Sequence, residues 1–209
     1  MKTIFVNRFY HPDQSATAQI LTDVTRALVR HGPRGVTVIT SSADYGADRG
    51  EDADEDQAIR VHRVPAIRGA QSGLVRRSIN YALFFFGAAL LLARHARRGD
   101  VVVFKTDPPL LAALLSPLAR IRRARTVNWL QDIFPETAER LGMVSGMGAL
   151  TRTLKAWRNQ SLRRADANVV IGSRMGQFTR RAGAGPGSIR TIANWVDDET
   201  IAPIPAEAN

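Results

Sequence analysis

The stretch "DVVVFKTDPPLLAALLSPLARIRRARTVNWLQD", Asp100 to Asp132, decides the fold. An apolar run, "DVVVFK" from Asp100 to Lys105, is followed by "PPLLAALLSPLARI" with its leucines and alanines at helical spacing, and then by "RTVNWL" from Arg125 to Leu130. Pro109 falls near the first turn of that helix, where a missing N–H is harmless. Both flanking runs are too short for helices and too continuously apolar for strands with one wet face. A strand, a helix and a second strand of this kind make the repeating unit of a parallel sheet buried by helices.

The same alternation extends in both directions. Upstream, "TIFVN" (Thr3 to Asn7) and "VTVITS" (Val36 to Ser41) read as strands. Between them, Thr17, Ile20, Leu21, Val24 and Leu28 recur at helical spacing until His31-Gly32. "IRVHRV" (Ile59 to Val64) alternates like a strand with one wet face, and a long apolar helix follows from Leu74 to Arg98. Downstream come a short helix entered through Pro135, a helix from Thr151 to Ala165, the strand "ANVVIG", the helix "SRMGQFTRRAG" and the strand "IRTIANW" (Ile189 to Trp195). The pattern predicts an α/β fold with a doubly wound parallel sheet.

At 209 residues and 44% hydrophobic content the chain can bury a sizeable core, so a disordered class is excluded. There is no cysteine, which removes disulfides, thiolate metal sites and cysteine nucleophiles. His11, His31, His62 and His95 show no metal-ligand spacing, and no metal is expected. The apolar stretch before Arg8 is too short for a signal-peptide core, so a cytoplasmic location is expected.

The net charge is +10, but residues 44 to 56 carry −6 by themselves, leaving +16 on the rest of the chain. Such a surface attracts phosphates, nucleic acid or an acidic membrane face. The dominance of arginine over lysine is also what a GC-rich coding sequence produces. No helix-turn-helix, RRM or zinc pattern supports nucleic-acid binding.

The helix core from Ile79 to Ala93 covers only about 22 Å, short of the ~30 Å hydrocarbon layer. It reads as a buried helix, or as one lying on an anionic membrane with Arg76, Arg77, Arg94, Arg97 and Arg98 at the head groups. Either way a peripheral, not a spanning, association is expected.

In doubly wound sheets ligands bind beyond the carboxyl ends of the strands. Four loops stand there: "RFYHPDQSATA", "TDPP", "QDIFPE" and "ANWVDD". In the first, Ser15 and Thr17 precede a helix. They cap it, or its N–H groups bind a phosphate. In the second, Lys105 and Thr106 lead to Asp107, which is held extended by two prolines; the loop meets a phosphate or carboxylate, or is a turn with no role. In the third, Asp132 either caps the short helix or projects into the cleft, and Glu136 follows.

Taken together, "FYHPDQSATAQILTDVTRALVRHG", "VHRVP", "TDPPLLAALL", "WLQDIFPETAERLG", "RRADANVVIGSRM" and "IRTIANWVDDETIAPIP" resemble the N-terminal half of family 4 GT-B glycosyltransferases. The closest likeness is to the bacterial branch that builds capsule, O-antigen and exopolysaccharide. The resemblance runs from about Thr3 to Pro205. It implies a Rossmann-like domain over residues 1–200, with 201–209 a linker toward a C-terminal nucleotide-sugar domain absent from this sequence.

By the same resemblance, the enzyme transfers a sugar with retention from a nucleotide sugar to a lipid-linked or polysaccharide acceptor, without a metal or other cofactor. The chemistry implied is front-face displacement of the nucleoside diphosphate. The chain alone, lacking the donor-site Glu-x7-Glu motif, would be inactive.

Ser15, Ala16 and Thr17 then stand where the first loop approaches the donor diphosphate, although the glycine common at that place is missing. Asp132 matches a histidine or aspartate near the transferred sugar, which favours a site over a cap, with Glu136 a weaker catalytic candidate. Lys105, Thr106, Asp107, Asn194 and Asp197 line the acceptor cleft, Asn194 and Asp197 belonging to a segment similar to the family's Asn-Gly-Val-Asp crossover. Two other readings share these features: a stand-alone binding module for a phosphorylated sugar or lipid, and a GT-B nucleotide-sugar epimerase.

Overall fold

A computed structural model describes residues 1–32, 35–42, 58–67, 74–140, 142 and 148–195. The acidic segment 44–56, Asp197 and the expected linker 201–209 lie outside the described residues. Among the described residues seven strands form one parallel sheet: β1 (Thr3–Val6), β2 (Val36–Ser41), β3 (Ile59–Val64), β4 (Val101–Phe104), β5 (Arg125–Trp129), β6 (Ala167–Val170) and β7 (Ile189–Thr191). Their order is β3-β2-β1-β4-β5-β6-β7, with Phe5 beside Val38 on one side and Val103 on the other. The order reverses between β1 and β4, which opens a crevice at the carboxyl ends of those two strands.

The helices are α1 (Ala16–His31), α2 (Leu74–His95), α3 (Leu111–Ile121), α4 (Glu136–Arg140), α5 (Gly148–Arg164) and α6 (Ser173–Arg181). Two cores flank the sheet. On one face Phe84, Ala88 and Leu92 of α2 and Leu111, Leu115 and Ala119 of α3 bury Ile4, Val6, Val102 and Phe104. On the other, Ile20 and Leu21 of α1 pack on Phe5, Val36, Val38 and Val103. Each of these large side chains contributes roughly 1.5–3 kcal/mol by leaving water.

The two faces are unequally covered. Along β5 and β6, Thr126, Asn128, Asn168 and Val170 are buried under the helices, while the alternate residues Val127, Ala167 and Val169 are only half-buried. The expectation of a sheet covered on both faces therefore holds fully for β1 and β2, while on the second side of β5 and β6 Trp129 is buried and its row-mates Val127, Ala167 and Val169 are partly covered.

Element ends differ slightly from those read in the sequence. The helix expected to reach Arg98 stops at His95, because Asp100 takes the Arg97 N–H on Oδ2 at 3.0 Å and the Lys2 N–H on Oδ1 at 2.9 Å. Leu110 takes a left-handed backbone, φ 65°, and α3 starts one residue later instead of at the prolines. The last strand, expected to run to Trp195, pairs only to Thr191, because the segment after it turns back across the sheet end. Gly87 allows α2 to settle on β3, since a Cβ there would sit 2.5 Å from Val64 Cγ1.

Candidate functional site

The crevice between β1 and β4 is bridged. The Arg8 N–H donates to the Asp107 carbonyl at 3.0 Å, and Arg8 Nε lies 3.2 Å from Asp107 Oδ1. That second approach is an ion pair too bent to be a hydrogen bond, while Arg8 Nη2 donates weakly to Oδ2 at 3.4 Å. The Arg8 guanidinium also lies over the rings of Phe9 and Tyr81, at 4.2 and 4.9 Å. Burial raises the Asp107 carboxyl above its ordinary pKa against the pull of Arg8, and the neighbouring Asp132 charge raises it further.

Asp132 stands at the end of β5, facing the β4 loop. Burial raises its pKa, the nearby Thr106 hydroxyl pulls it down, and the net shift is upward. Asp132 does not cap α4, which begins four positions on at Glu136. It lines a pocket whose apolar wall is built from Phe104, Leu111, Phe134 and Phe178, with Asn128 and Arg158 among its polar groups. Asn128 Oδ1 is buried there without a hydrogen-bond partner among the described residues, its amide nitrogen being given to Asn168 Oδ1 at 2.9 Å.

Lys105 does not reach into the crevice. Counting by twos from Val101 and Val103 sends its side chain to the α1 face, where it is 1% exposed. Its ammonium donates to the Thr17 carbonyl at 2.9 Å and stands 4.3 Å over the Trp129 ring. Burial brings its pKa down to about 8. Lys105 thus holds the first turn of α1 in place against β5.

At that first turn Ser15 occupies the N-cap position with extended backbone, φ −63° and ψ 145°, yet its hydroxyl makes no cap. Asp13 accepts the Ser15 N–H at 2.8 Å instead. The N–H groups of Ala16 and Thr17 have no acceptor among the described residues, and they face the same end of the sheet as Asp132. A helix of 16 residues ending in free N–H groups attracts anions through its dipole.

Asn194 joins the group by donating from Nδ2 to Gln131 Oε1 at 2.9 Å. Its neighbour Trp195 stacks on Trp129, with centroids 6.4 Å apart, and donates Nε1–H to Asp23 on α1 at 3.1 Å. Glu136 stands apart. Both of its oxygens accept from Arg158, at 3.0 and 2.8 Å, and Arg158 also donates to the Phe134 carbonyl at 3.2 Å. The pair fixes the loop that carries Asp132.

The structure therefore gathers Ser15, Ala16, Thr17, Thr106, Asp107, Asp132 and Asn194 at one sheet end, with Lys105 beneath them and Glu136 to one side. Sequence reading missed Arg8, Trp129, Gln131 and Arg158. Arg8 had a signal, being the first charge after β1 in the crossing loop, and Trp129 had another, lying on the same alternate row as Val127. Gln131 stood first in the loop "QDIFPE" without being singled out, and nothing in the sequence pointed to Arg158.

Comparison with known proteins identifies the family of this domain. Residues 15–195 match the model of the glycosyl transferase 4-like domain. A probable glycosyltransferase, WbjE of Pseudomonas aeruginosa, is 29% identical over 143 residues, which cover 67% of this chain and 35% of that protein. Among solved structures, Anabaena Alr3699/HepE in complex with UDP-glucose superposes with a TM-score of 0.55 at 15% identity, covering 94% of this chain and 44% of that one. Sucrose-phosphate synthase from Thermosynechococcus elongatus superposes with 0.58 at 13% identity, covering 92% and 48%. The chain thus spans less than half the length of these relatives, and the structural likeness is one of fold. The family match takes in all the described site loops from Ser15 onward, and the chain belongs to the glycosyl transferase 4-like family.

Proposed function

We propose that the chain is the acceptor-side half of a retaining glycosyltransferase, which moves a sugar from a nucleotide sugar to a lipid-linked or polysaccharide acceptor. The observation that carries the reading is the meeting, at one topological switch point, of free helix N–H groups at Ala16 and Thr17 with the carboxylate of Asp132. The first suits a diphosphate and the second suits sugar hydroxyls. HepE was solved with UDP-glucose, which supports a nucleotide sugar as the donor.

In this reading the acceptor oxygen bonds to the anomeric carbon on the face from which the diphosphate departs, and the acceptor proton passes to the leaving phosphate oxygen. The α1 N-terminus stabilises the charge that develops on the diphosphate, with no metal assigned to that task. Asp132 orients the sugar or acceptor by hydrogen bonding and forms no covalent bond. Asp107, Thr106 and Asn194 line the acceptor side, and Glu136 acts through Arg158 on the Asp132 loop. The work is done at the cytoplasmic face of the membrane where such acceptors are assembled.

The test is transfer of labelled sugar from UDP-sugars by the full-length protein into lipid-extractable or polymeric material, with the product anomer assigned by NMR. Retained configuration is expected. An inverted product, or interconversion of the nucleotide sugar in place of transfer, overturns the reading.

A further inference from the structure

Helix α2 is long and apolar enough to cross a membrane by length and composition, yet Phe84, Ala88 and Leu92 are committed to the sheet. Its other side is not. Ile79, Leu83, Phe86 and Leu90 are 42, 41, 68 and 57% exposed and follow one another at helical spacing. The row begins after exposed Arg76 and runs on into exposed Arg94 and Arg97. Beside it α3, packed on α2 over the same face of the sheet, exposes Leu114 and Ile121, at 43 and 76%, and ends in exposed Arg122 and Arg123. Pro65 and Ile67 continue the apolar surface at a shallow hollow against Leu83 and Phe86.

Charge on this face has one sign. No acidic residue occurs between Gln57 and Gly99 or between Pro108 and Gln131. The two acids between those stretches are occupied inward, Asp100 by the N–H groups of Lys2 and Arg97, and Asp107 by Arg8. Among the described residues Arg94, Arg98 and Arg123 have no carboxylate partner. An apolar patch of this extent, rimmed only by arginines, is unfavourable in water and repels a basic partner.

We infer that α2 and α3 form a docking face that lies flat on an anionic lipid bilayer, with Phe86, Leu90, Leu83 and Ile121 among the acyl chains and the flanking arginines at the phosphates. Charge complementarity selects lipid over a second copy of this chain, because two such faces would oppose arginine to arginine. The buried stripe of α2 prevents insertion across the bilayer, so the helix is held in the plane. The orientation bears on the site as well. Helix α3 starts directly after the Asp107 loop, so a protein resting on this face holds the Asp107 and Asp132 loops at the rim of the contact. A lipid-linked acceptor would then present its head group there; this last point rests on the glycosyltransferase reading, whereas the docking face does not.

Sedimentation with vesicles tests it, using the full-length protein, wild type beside Phe86→Glu/Leu90→Glu and Arg94→Ser/Arg97→Ser/Arg98→Ser. Wild type is expected to pellet with phosphatidylglycerol-rich vesicles and weakly with phosphatidylcholine alone. The apolar double variant should lose at least about tenfold in partition. The arginine variant should lose most of the dependence on salt and anionic lipid, at about fivefold per arginine. These side chains are exposed, so circular dichroism and UDP binding should match wild type in every variant. That separates a failed docking face from a failed glycosyltransferase reading. Undiminished pelleting of the Phe86→Glu/Leu90→Glu protein overturns the proposal. So does light scattering that shows a wild-type dimer converted to monomer by the same change, or tighter binding to duplex DNA than to vesicles.

Discussion

The ammonium of Lys105 stands 4.3 Å above the indole of Trp129 and donates to the Thr17 carbonyl at 2.9 Å, in a place that is 1% exposed. One carbonyl and one ring are less than an ammonium has in water, and its pKa falls to about 8.

The first prediction is a rise of stability with pH. Between about 8 and 10.5 the unfolded chain keeps the Lys105 proton and the folded chain does not, so stability increases across that window and is flat on this account below it. The gain is on the order of 3 kcal/mol at most. Urea unfolding of wild type and Lys105→Met at pH 7, 8.5 and 10 measures it as the difference between the two proteins. Parallel profiles would mean that the lysine is hydrated as usual.

Glu136 and Arg158 supply the second prediction. Their two-pronged contact, with side chains 26 and 11% exposed, is sheltered enough to matter. Glu136→Ala is expected to cost roughly 1–3 kcal/mol, because it leaves Arg158 without a carboxylate. Glu136→Ala/Arg158→Ala should cost less than the sum of the single changes, which a double-mutant cycle reads directly. Additive losses would show that the pair does not act together.

The strands were legible because parallel strands buried on both faces read as short apolar runs, and "VVVF" and "VTVITS" leave little choice. Their order in the sheet was not, since nothing local says that β4, and not β3, lies beside β1. The loops of the site were legible by position, at the carboxyl ends of strands. What each side chain does there was less so. Lys105 and Asp107 are two residues apart in one loop, yet one points under α1 and the other pairs with Arg8 across the crevice. Alternation along β4 carried that information for Lys105. For Asp132 and Glu136 the deciding partners, Thr106 and Arg158, come from distant elements that only tertiary packing brings near.

Asp132 gives a third prediction, in which stability and activity move in opposite directions. Its raised pKa means that the charged form is less favourable in the folded chain than in the unfolded one, so stability falls as pH rises from the ordinary aspartate range through the folded pKa. Asp132→Asn removes that burden and should raise Tm at pH 7. In the full-length enzyme the same change should lower kcat/KM by about a hundredfold. It should also abolish an acidic limb lying above the usual aspartate range. Full kcat/KM in the Asn variant would remove Asp132 from the mechanism.

The last prediction isolates one backbone N–H. Ala16 is the first helical residue of α1, and Ser15 before it has ψ 145°, the extended conformation that a following proline requires. Proline is well tolerated at the first helical position, so Ala16→Pro should leave Tm within about 1 kcal/mol equivalent of wild type. It deletes one of the two N–H groups that face the crevice and leaves the helix dipole in place. Titrating UDP into the full-length protein should then show affinity reduced by about tenfold, one charge-assisted hydrogen bond's worth. The loss should be confined to ligands bearing a diphosphate, with uridine unaffected. Equal loss for uridine and UDP would mean that the change disturbed the fold of the loop. No loss for UDP would place the diphosphate away from the α1 N-terminus.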